Sequence, residues 1–465
     1  MMKHLKKIIF FFLISTVGFS QEQLPEVGVI TDSIAIENKN GSYSLYLPSD
    51  YNAEKTWPVI LVFGPSGKGK LAVAPFVEAA EKYGYIVAGS NSLKNDTYQK
   101  NFNIARSFYD KVIKTYAVDT NKIYLAGFSG GARLAVAIAT ISKNIKGVIG
   151  CGASFANNDL YIPKRNSFLY VGLVGDEDFN YREMKTAMEY FDKLKFDAEL
   201  LIFPGGHTWP PENYMIKAVR LLTLKSMTHN ILPKNEERIQ QFFNEDLDFN
   251  RELILKLEML NAYNDIEEIK ANYRPYFDMD TLKSREKEIR KNKLYKTQRN
   301  DQKEIDAAEP YYTFDYSTYL PKDIASGELE SLAYWEDEIK KLKKEYLENA
   351  KPAKRKMGKR VLGYLEVFTD AIKDSYNEKE HADNLLYISI FETLVDPKAY
   401  DSYLEILKYT VKDGHYGIAY YYLEQMLENG FTDTKRLNEQ EGITLLRIQP
   451  EYNEILESHG LKVLY

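Results

Sequence analysis

The stretch Lys122-Ile123-Tyr124-Leu125-Ala126-Gly127-Phe128-Ser129-Gly130-Gly131-Ala132 decides how this chain is read. An apolar run ends in a G-x-S-x-G turn, and an Ala-rich stretch of helical period follows. A turn of this kind sets a serine at a strand-to-helix junction. Its small flanking residues tolerate close backbone packing, and the hydroxyl stands clear at the sheet edge. The N-terminus of the new helix points at the same spot and favours negative charge developing there. Ser129 is therefore the candidate nucleophile, and the Gly130 N–H is the first candidate oxyanion donor.

Outward from this turn, short apolar runs alternate with helical patterns from Gln21 to Met227. The strand candidates are Ser42–Leu47, Pro58–Phe63, Tyr85–Ala88, Lys122–Ala126, Gly147–Gly152, Phe168–Val174 and Leu200–Phe203. Between them lie the helix candidates Leu71–Tyr83, Ala105–Tyr116, Gly130–Ile141, Tyr181–Leu194 and Asn213–Leu224. In the last, Met215, Ala218, Val219 and Leu222 form one apolar face. Near-continuous apolar strands alternating with helices predict an α/β fold, with a mostly parallel sheet covered on both faces. The first two strand candidates have no helix between them, which predicts an antiparallel hairpin.

After Met227 the strand signals stop. Asn230–Tyr465 is charged, Tyr-rich and helix-periodic, with Leu332, Trp335, Ile339, Leu342 and Tyr346 stepping by three and four. Lys283–Glu304 is almost wholly polar and reads as a solvated helix or linker, not a nucleic-acid contact. The aromatic, turn-prone Pro310–Pro321 predicts a break between helical subgroups. Gly414-His415-Tyr416-Gly417-Ile418-Ala419, leading into Tyr422, Leu423, Met426 and Leu427, resembles the middle of a tetratricopeptide repeat over less than two repeats. A domain that docks a protein partner and a helical lid fit that stretch equally well. The expected division is residues 1–20, 21–228 and 229–465, the last an all-α region.

Composition narrows the function. The chain has 465 residues, 44% of them hydrophobic, and a net charge of −6. That balance describes a folded protein with room for two to three domains and argues against a nucleic-acid binder, which would carry a clustered basic excess. The single cysteine, Cys151, excludes an internal disulfide framework and a Cys-based zinc cluster; it reads as a small buried apolar residue. Lys3, His4, Lys6 and Lys7 precede the apolar run Ile8–Phe19, and Gly18 and Ser20 precede Gln21. This is the layout of a secretory signal peptide cut after Ser20, and it predicts export to a periplasm or outside a bacterial-type cell. No cysteine follows the run, so lipid attachment is not expected.

A serine hydroxyl needs a base to attack at neutral pH. The chain has 6 histidines, and between Gln21 and Met227 only His207 is found, in Phe203-Pro204-Gly205-Gly206-His207-Thr208-Trp209-Pro210. It follows the last strand candidate in a loop that opens a helix. The acid should lie between nucleophile and base, after the penultimate strand. There Gly175-Asp176-Glu177-Asp178-Phe179-Asn180 offers three carboxylates. Asn180 and Glu183 suit a capping box for the next helix, which leaves Asp178 in the loop to face His207. Asp176 is the alternative.

On Tyr124–Ala132, the Gly175–Asp178 turn and Gly206–Pro210, the chain resembles the α/β-hydrolases. It is most similar to the secreted esterase branch that holds polyhydroxybutyrate depolymerases and feruloyl or acetylxylan esterase-like proteins. The resemblance covers about the first half of the mature chain. It implies a Ser-His-Asp mechanism through an acyl-enzyme on ester bonds, with a small-molecule or carbohydrate-linked substrate and no metal or organic cofactor. The branch usually carries His-Gly after its third strand, with an N–H just beyond it completing the oxyanion hole. Here the sequence is Phe63-Gly64-Pro65-Ser66-Gly67, and Pro65 has no N–H to donate. Gly64, Ser66 or Gly67 would have to supply the second donor. A non-catalytic binding protein on a hydrolase core, or a prolyl-peptidase-like enzyme, therefore stays open.

Gly64–Lys70 also approaches a phosphate-binding loop, but Leu71 stands where Ser or Thr would reach a metal ion. Lys68 and Lys70 are left either to an anionic substrate group or to solvent. Ser90, Asn91 and Ser92 either line the substrate pocket or form a turn, and Trp209 is a further pocket candidate.

Overall fold

Every apolar run singled out between Ser42 and Phe203 becomes a strand, and one further strand precedes them. The computed structural model describes residues 25–36, 41–156 and 158–461; the expected signal peptide, residues 1–20, lies outside them. The strands are β1 (Ile30–Ala35), β2 (Ser42–Tyr46), β3 (Trp57–Phe63), β4 (Ile86–Ser90), β5 (Val118–Phe128), β6 (Ile145–Cys151), β7 (Leu169–Gly175) and β8 (Ala198–Phe203). They form one eight-stranded sheet in the order β1-β2-β4-β3-β5-β6-β7-β8. From β4 to β8 every pairing is parallel, while β1 and β2 are antiparallel.

The expected hairpin between the first two apolar runs does not form. β2 pairs with β1 and β4, and β3 sits between β4 and β5. β3 is apolar on both faces and takes a parallel neighbour on each side. The edge beside β2 goes instead to β1, Ile-Thr-Asp-Ser-Ile-Ala, whose alternation is too weak to read and whose pairing is bulged near Ser33.

The helices of this half are α1 (Gly69–Val73), α2 (Val77–Tyr83), α3 (Tyr98–Thr115), α4 (Gly130–Ile141), α5 (Tyr181–Lys193) and α6 (Glu212–Thr228). The single helix expected over Leu71–Tyr83 is divided by a 3-10 turn, Ala74–Phe76, which contains Pro75. Alternate strand residues sort onto the two faces. Ile60 and Val62 pack beneath α1, α2 and α6, whereas Val59, Leu61 and Phe63 pack beneath α3, α4 and α5.

The helical half continues as α7 (Glu236–Leu255), α8 (Met259–Tyr273), α9 (Asp280–Lys291), α10 (Lys293–Ser326), α11 (Leu332–Leu342), α12 (Pro352–Lys373), α13 (Ala382–Val395), α14 (Tyr400–Lys412) and α15 (Tyr416–Glu428). Short helices then run to Ser458. The polar run Lys283–Glu304 is helical on either side of Asn292, with Ile289 and Tyr295 turned inward. The repeat-like stretch from Gly414 to Leu427 supplies the turn after α14 and nearly all of α15. One core builds around Trp335 from α10 to α14, and another runs from α14 towards the C-terminus. No described helix is long and apolar enough to cross a membrane.

No break falls between Pro310 and Pro321; both lie inside α10, a helix of 34 residues. An interior proline costs a helix about 3 kcal/mol, partly because it leaves the carbonyl four residues earlier without its donor. For Pro310 that carbonyl belongs to Asp306, and Arg182 of α5 donates Nη1 to it at 3.2 Å. Buried Ile305, Tyr316, Leu320 and Ile324 hold the rest of α10 in place.

α6 is the joint between the two halves. Its apolar face packs on the sheet, yet Lys217, Arg220 and Lys225 on its other faces are buried as well. α7 and α8 bring carboxylates to the first two, while Lys225 pairs with Asp197 beside β8. Lys217 pairs with Asp265, Arg220 pairs with Asp246, and the Tyr273 hydroxyl donates to Asp246 at 2.6 Å. Burial raises the Asp246 carboxyl, but Lys217 and Arg220 outweigh it and hold the group below the usual range. The apolar packing does not divide at 228/229 either: Leu222 and Met227 share a cluster with Ile239, Phe242, Ala262 and Ile266.

Removing Asp246 takes the buried carboxylate from between Lys217 and Arg220 and leaves the Arg220 guanidinium only the part-buried Glu245, at 3.0 Å. Asp246→Ala is expected to cost about 3–5 kcal/mol at neutral pH, read as a lower urea midpoint. Because the folded carboxyl titrates below its unfolded value, this stability is present above the unfolded value and is lost as pH falls through the folded one. The gap between wild type and variant should therefore close in acid; a gap independent of pH would contradict the assignment.

Candidate active site

The turn after β5 is as tight as its glycines permit. A Cβ on Gly127 would lie 2.3 Å from the Gly131 carbonyl, and a Cβ on Gly131 would lie 2.0 Å from the Phe63 carbonyl oxygen. Three backbone segments, β3, β5 and the first turn of α4, thus meet with no room for a side chain. Ser129 takes φ 52°, ψ −122°, a left-handed conformation that costs a non-glycine residue on the order of 1–3 kcal/mol. The surroundings hold it there. Ser129 N donates to the Cys151 carbonyl at 2.8 Å, and the Ser129 carbonyl accepts from Ala132 and Arg133 N–H at 2.9 and 3.2 Å.

His207 stands in the loop between β8 and α6, and its Nε2 is 3.0 Å from Ser129 Oγ. Its Nδ1 is 2.9 and 3.0 Å from the two oxygens of Asp178. A carboxylate can only accept, so Nδ1 carries the proton and Nε2 turns its lone pair to the serine. The imidazole lies between two aromatic rings, Phe128 at 4.6 Å and Phe179 at 4.3 Å between centroids. Gly152, at φ +67°, has no side chain to enter the same space; a Cβ there would sit 3.1 Å from His207 Cε1. The sequence assigns Phe128, Phe179 and Gly152 no role of their own, although each adjoins a residue that it does mark, Ser129, Asp178 and Cys151.

Of the two acid candidates, Asp178 faces the histidine and is fully buried. Asp176 turns away, accepting from Gly205 N–H at 3.1 Å and pairing with Lys356 of α12. The capping box expected at Asn180 and Glu183 does not form. Asn180 donates its side chain to the Gly152 carbonyl at 2.7 Å, and Glu183 is drawn across to Arg133 and Ser154. The Asn180 N–H instead donates to Asp178 Oδ1 at 2.8 Å, which helps fix the carboxylate.

At the other side of the serine, the β3–α1 and β4–α3 loops are joined. Ser66 bridges to Lys94, and Asn95 N–H donates to the Pro65 carbonyl at 3.1 Å. Gly64 is buried at the end of β3, and Ser66 is exposed. The Asn95 carboxamide, unnoticed in the sequence, covers Gly130, with Oδ1 2.1 Å from where a Gly130 Cβ would stand. Ser90 and Asn91 are engaged in the loop rather than turned to the serine. Ser90 Oγ accepts from Ser92 and Leu93 N–H, and Asn91 Oδ1 accepts from Gly69 N–H at 2.7 Å while its Nδ2 donates to Asp32. Trp209 packs edge-on to Phe76 and beside Phe128, so its ring braces the wall behind His207. Lys68 and Lys70 are exposed. Cys151 is buried and its thiol is pushed up by burial. Among the described residues, no group of three or more His, Cys, Asp or Glu could hold a metal ion.

The strand order, with the serine turn after β5, the acid turn after β7 and the histidine loop after β8, matches a known arrangement. This is an α/β-hydrolase fold, followed by an all-α region. No protein-family model matches the chain, and no curated protein sequence matches it. Among solved structures it is similar to the feruloyl esterase module from Clostridium thermocellum, at 16% identity and TM-score 0.36, over 42% of this chain and 88% of that one. It is similar to S-formylglutathione hydrolase from Staphylococcus aureus, at 15% identity and TM-score 0.35, over 43% and 98%. A third is esterase B from Lactobacillus rhamnosis, at 14% identity and TM-score 0.36, over 43% and 88%.

The two glycines after the serine should respond differently to alanine. Gly131→Ala drives a methyl into fixed backbone and is expected to cost at least about 1–3 kcal/mol. Gly130→Ala meets only the end of Asn95, an exposed side chain that can rotate away, and should leave the thermal midpoint close to wild type. Equal losses in a thermal melt would contradict this geometry.

Proposed function

We propose that this chain is an exported serine hydrolase that cleaves ester bonds through an acyl-enzyme, with Ser129, His207 and Asp178 as its catalytic groups. The observation that carries the reading is the unbroken hydrogen-bond chain Ser129 Oγ–His207–Asp178 at the carboxyl end of the sheet. Ser129 Oγ attacks the ester carbonyl carbon while its proton passes to His207 Nε2. Asp178, held by the Asn180 N–H, keeps the proton on Nδ1 and balances the imidazolium. The tetrahedral oxyanion faces the Gly130 N–H at the start of α4. As the intermediate collapses, His207 returns its proton to the leaving alkoxide; water, deprotonated by the same imidazole, then releases the acid.

Pro65 leaves the second oxyanion donor to Gly64, Ser66 or Gly67, or to the Asn95 amide, the side chain that stands over Gly130. The substrate proposed from the sequence resemblance is a small or carbohydrate-linked ester, met outside the cytoplasm after the leader at residues 1–20 is removed. The helical half remains a candidate surface for a protein partner.

A fluorophosphonate probe tests the assignment. Wild type should label and Ser129→Ala should not. Asp178→Asn should lower kcat on a chromogenic ester about 10,000-fold, whereas Asp176→Asn should keep activity within about tenfold of wild type. An unlabelled wild type would favour the binding-protein reading. Faster turnover of short peptidyl than of acetyl or feruloyl substrates would favour a peptidase.

A further inference from the structure

α12 belongs to the helical half, yet one stripe of it reads the whole acid turn. Lys356 pairs with the Asp176 carboxylate, and Lys359 donates to both oxygens of Glu177 at 2.9 and 2.8 Å. Arg360 donates Nη1 to the Asp176 main-chain carbonyl at 2.7 Å. Gly363 presents bare backbone to Phe179; a Cβ there would stand 3.6 Å from the Phe179 Cβ. These positions follow i, i+3, i+4, i+7 spacing, one face of one helix. Between Glu177 and Phe179 lies Asp178, and Phe179 itself packs against the His207 ring.

We infer that the helical half is part of the catalytic machinery, and that Arg360, with Lys356 and Lys359, positions the acid turn so that Asp178 meets His207. The inference rests on the reading of Ser129, His207 and Asp178 as the catalytic set. Arg360 is the centre of the device. It is buried, forks onto Glu309 of α10 through Nε and Nη2 at 2.8 and 2.6 Å, and lies 4.4 Å above the Tyr181 ring. A buried ion pair of this kind contributes little net stability compared with apolar residues of the same size. What it does supply is direction: with two arms held by Glu309, the third nitrogen can point only at the carbonyl two residues before Asp178. The turn has anchors of its own on one side, Asp176 N–H to Phe203 and Glu177 N–H to Gly205. α12 closes the opposite side.

The test uses the full-length chain. Arg360→Met combined with Glu309→Leu removes both buried charges together and should leave a folded protein. Its kcat on a chromogenic acetyl ester should fall on the order of 100-fold with KM unchanged, the loss expected for a displaced catalytic group. The downfield proton resonance of His207 Nδ1–H should weaken in parallel. Lys356→Ala with Lys359→Ala, at the exposed rim, should lose on the order of tenfold. Lys373→Ala, on the same helix beyond the stripe, should keep wild-type kcat. Wild-type kcat and resonance in both double variants, with Ser129→Ala inactive, would overturn the positioning role and leave the hydrolase reading standing. A rise in KM alone would also overturn it, in favour of a substrate contact. Should the buried-pair variant not fold, the rim variant decides. A wild type that neither labels nor turns over would overturn both readings.

Discussion

The close approach of β3, β5 and α4 at Gly127 and Gly131 is the constraint on which the site depends. Because no Cβ intervenes, α4 begins directly at the sheet edge, and the strained serine is carried on rigid backbone on both sides. The strain at Ser129 is offset by its bond to Cys151 and by the first bonds of α4, from Ala132 and Arg133. A hydroxyl held this way needs no reorganisation to meet the imidazole. The same crowding explains why the β3–α1 loop, with its proline, lies alongside the turn and why the Asn95 amide comes to rest over Gly130.

A second constraint joins the halves. α6 is apolar towards the sheet and cationic elsewhere, a pattern that usually leaves the charged face in water. Here α7 and α8 cover that face, and their carboxylates neutralise Lys217 and Arg220. Once α7 and α8 are fixed against the sheet half, α10 and α12 follow, and α12 arrives at the acid turn. Arg182 and Lys185 of α5 meet Asp306 of α10 on the way. The sheet half and the helical half thus share an interior, and the acid turn is anchored from both.

Much of the fold was legible in the residues because burial on a parallel sheet leaves a local record. Strands covered on both faces are apolar throughout, and helices between them show their period. Seven strands could therefore be located, and α4, α5 and α6 closely, whereas α3 begins at Tyr98, seven residues before the expected Ala105. β1 left no such record, since an edge strand is half-solvated and this one is bulged. The failed hairpin has the same root: strand neighbours are chosen by the whole sheet, and adjacency in sequence does not determine them. α10 runs through Pro310 where Arg182, more than a hundred residues earlier, takes the role of the missing donor. Nothing local to Pro310 records that partner.

By itself the sequence determined the serine turn, the one histidine between Gln21 and Met227 and the cluster of carboxylates after the penultimate strand, because each depends on residue type within a few positions. Only the tertiary structure places Asp178 against the imidazole and draws Asp176 to Lys356. It also decided that Asn180 braces Gly152 instead of capping α5, and that Asn95 comes to lie over Gly130. The wall of Phe128 and Phe179, and the stripe of α12 behind the acid turn, likewise belong to the folded chain. Such contacts join residues far apart in sequence, and no local pattern of charge or hydrophobicity encodes them.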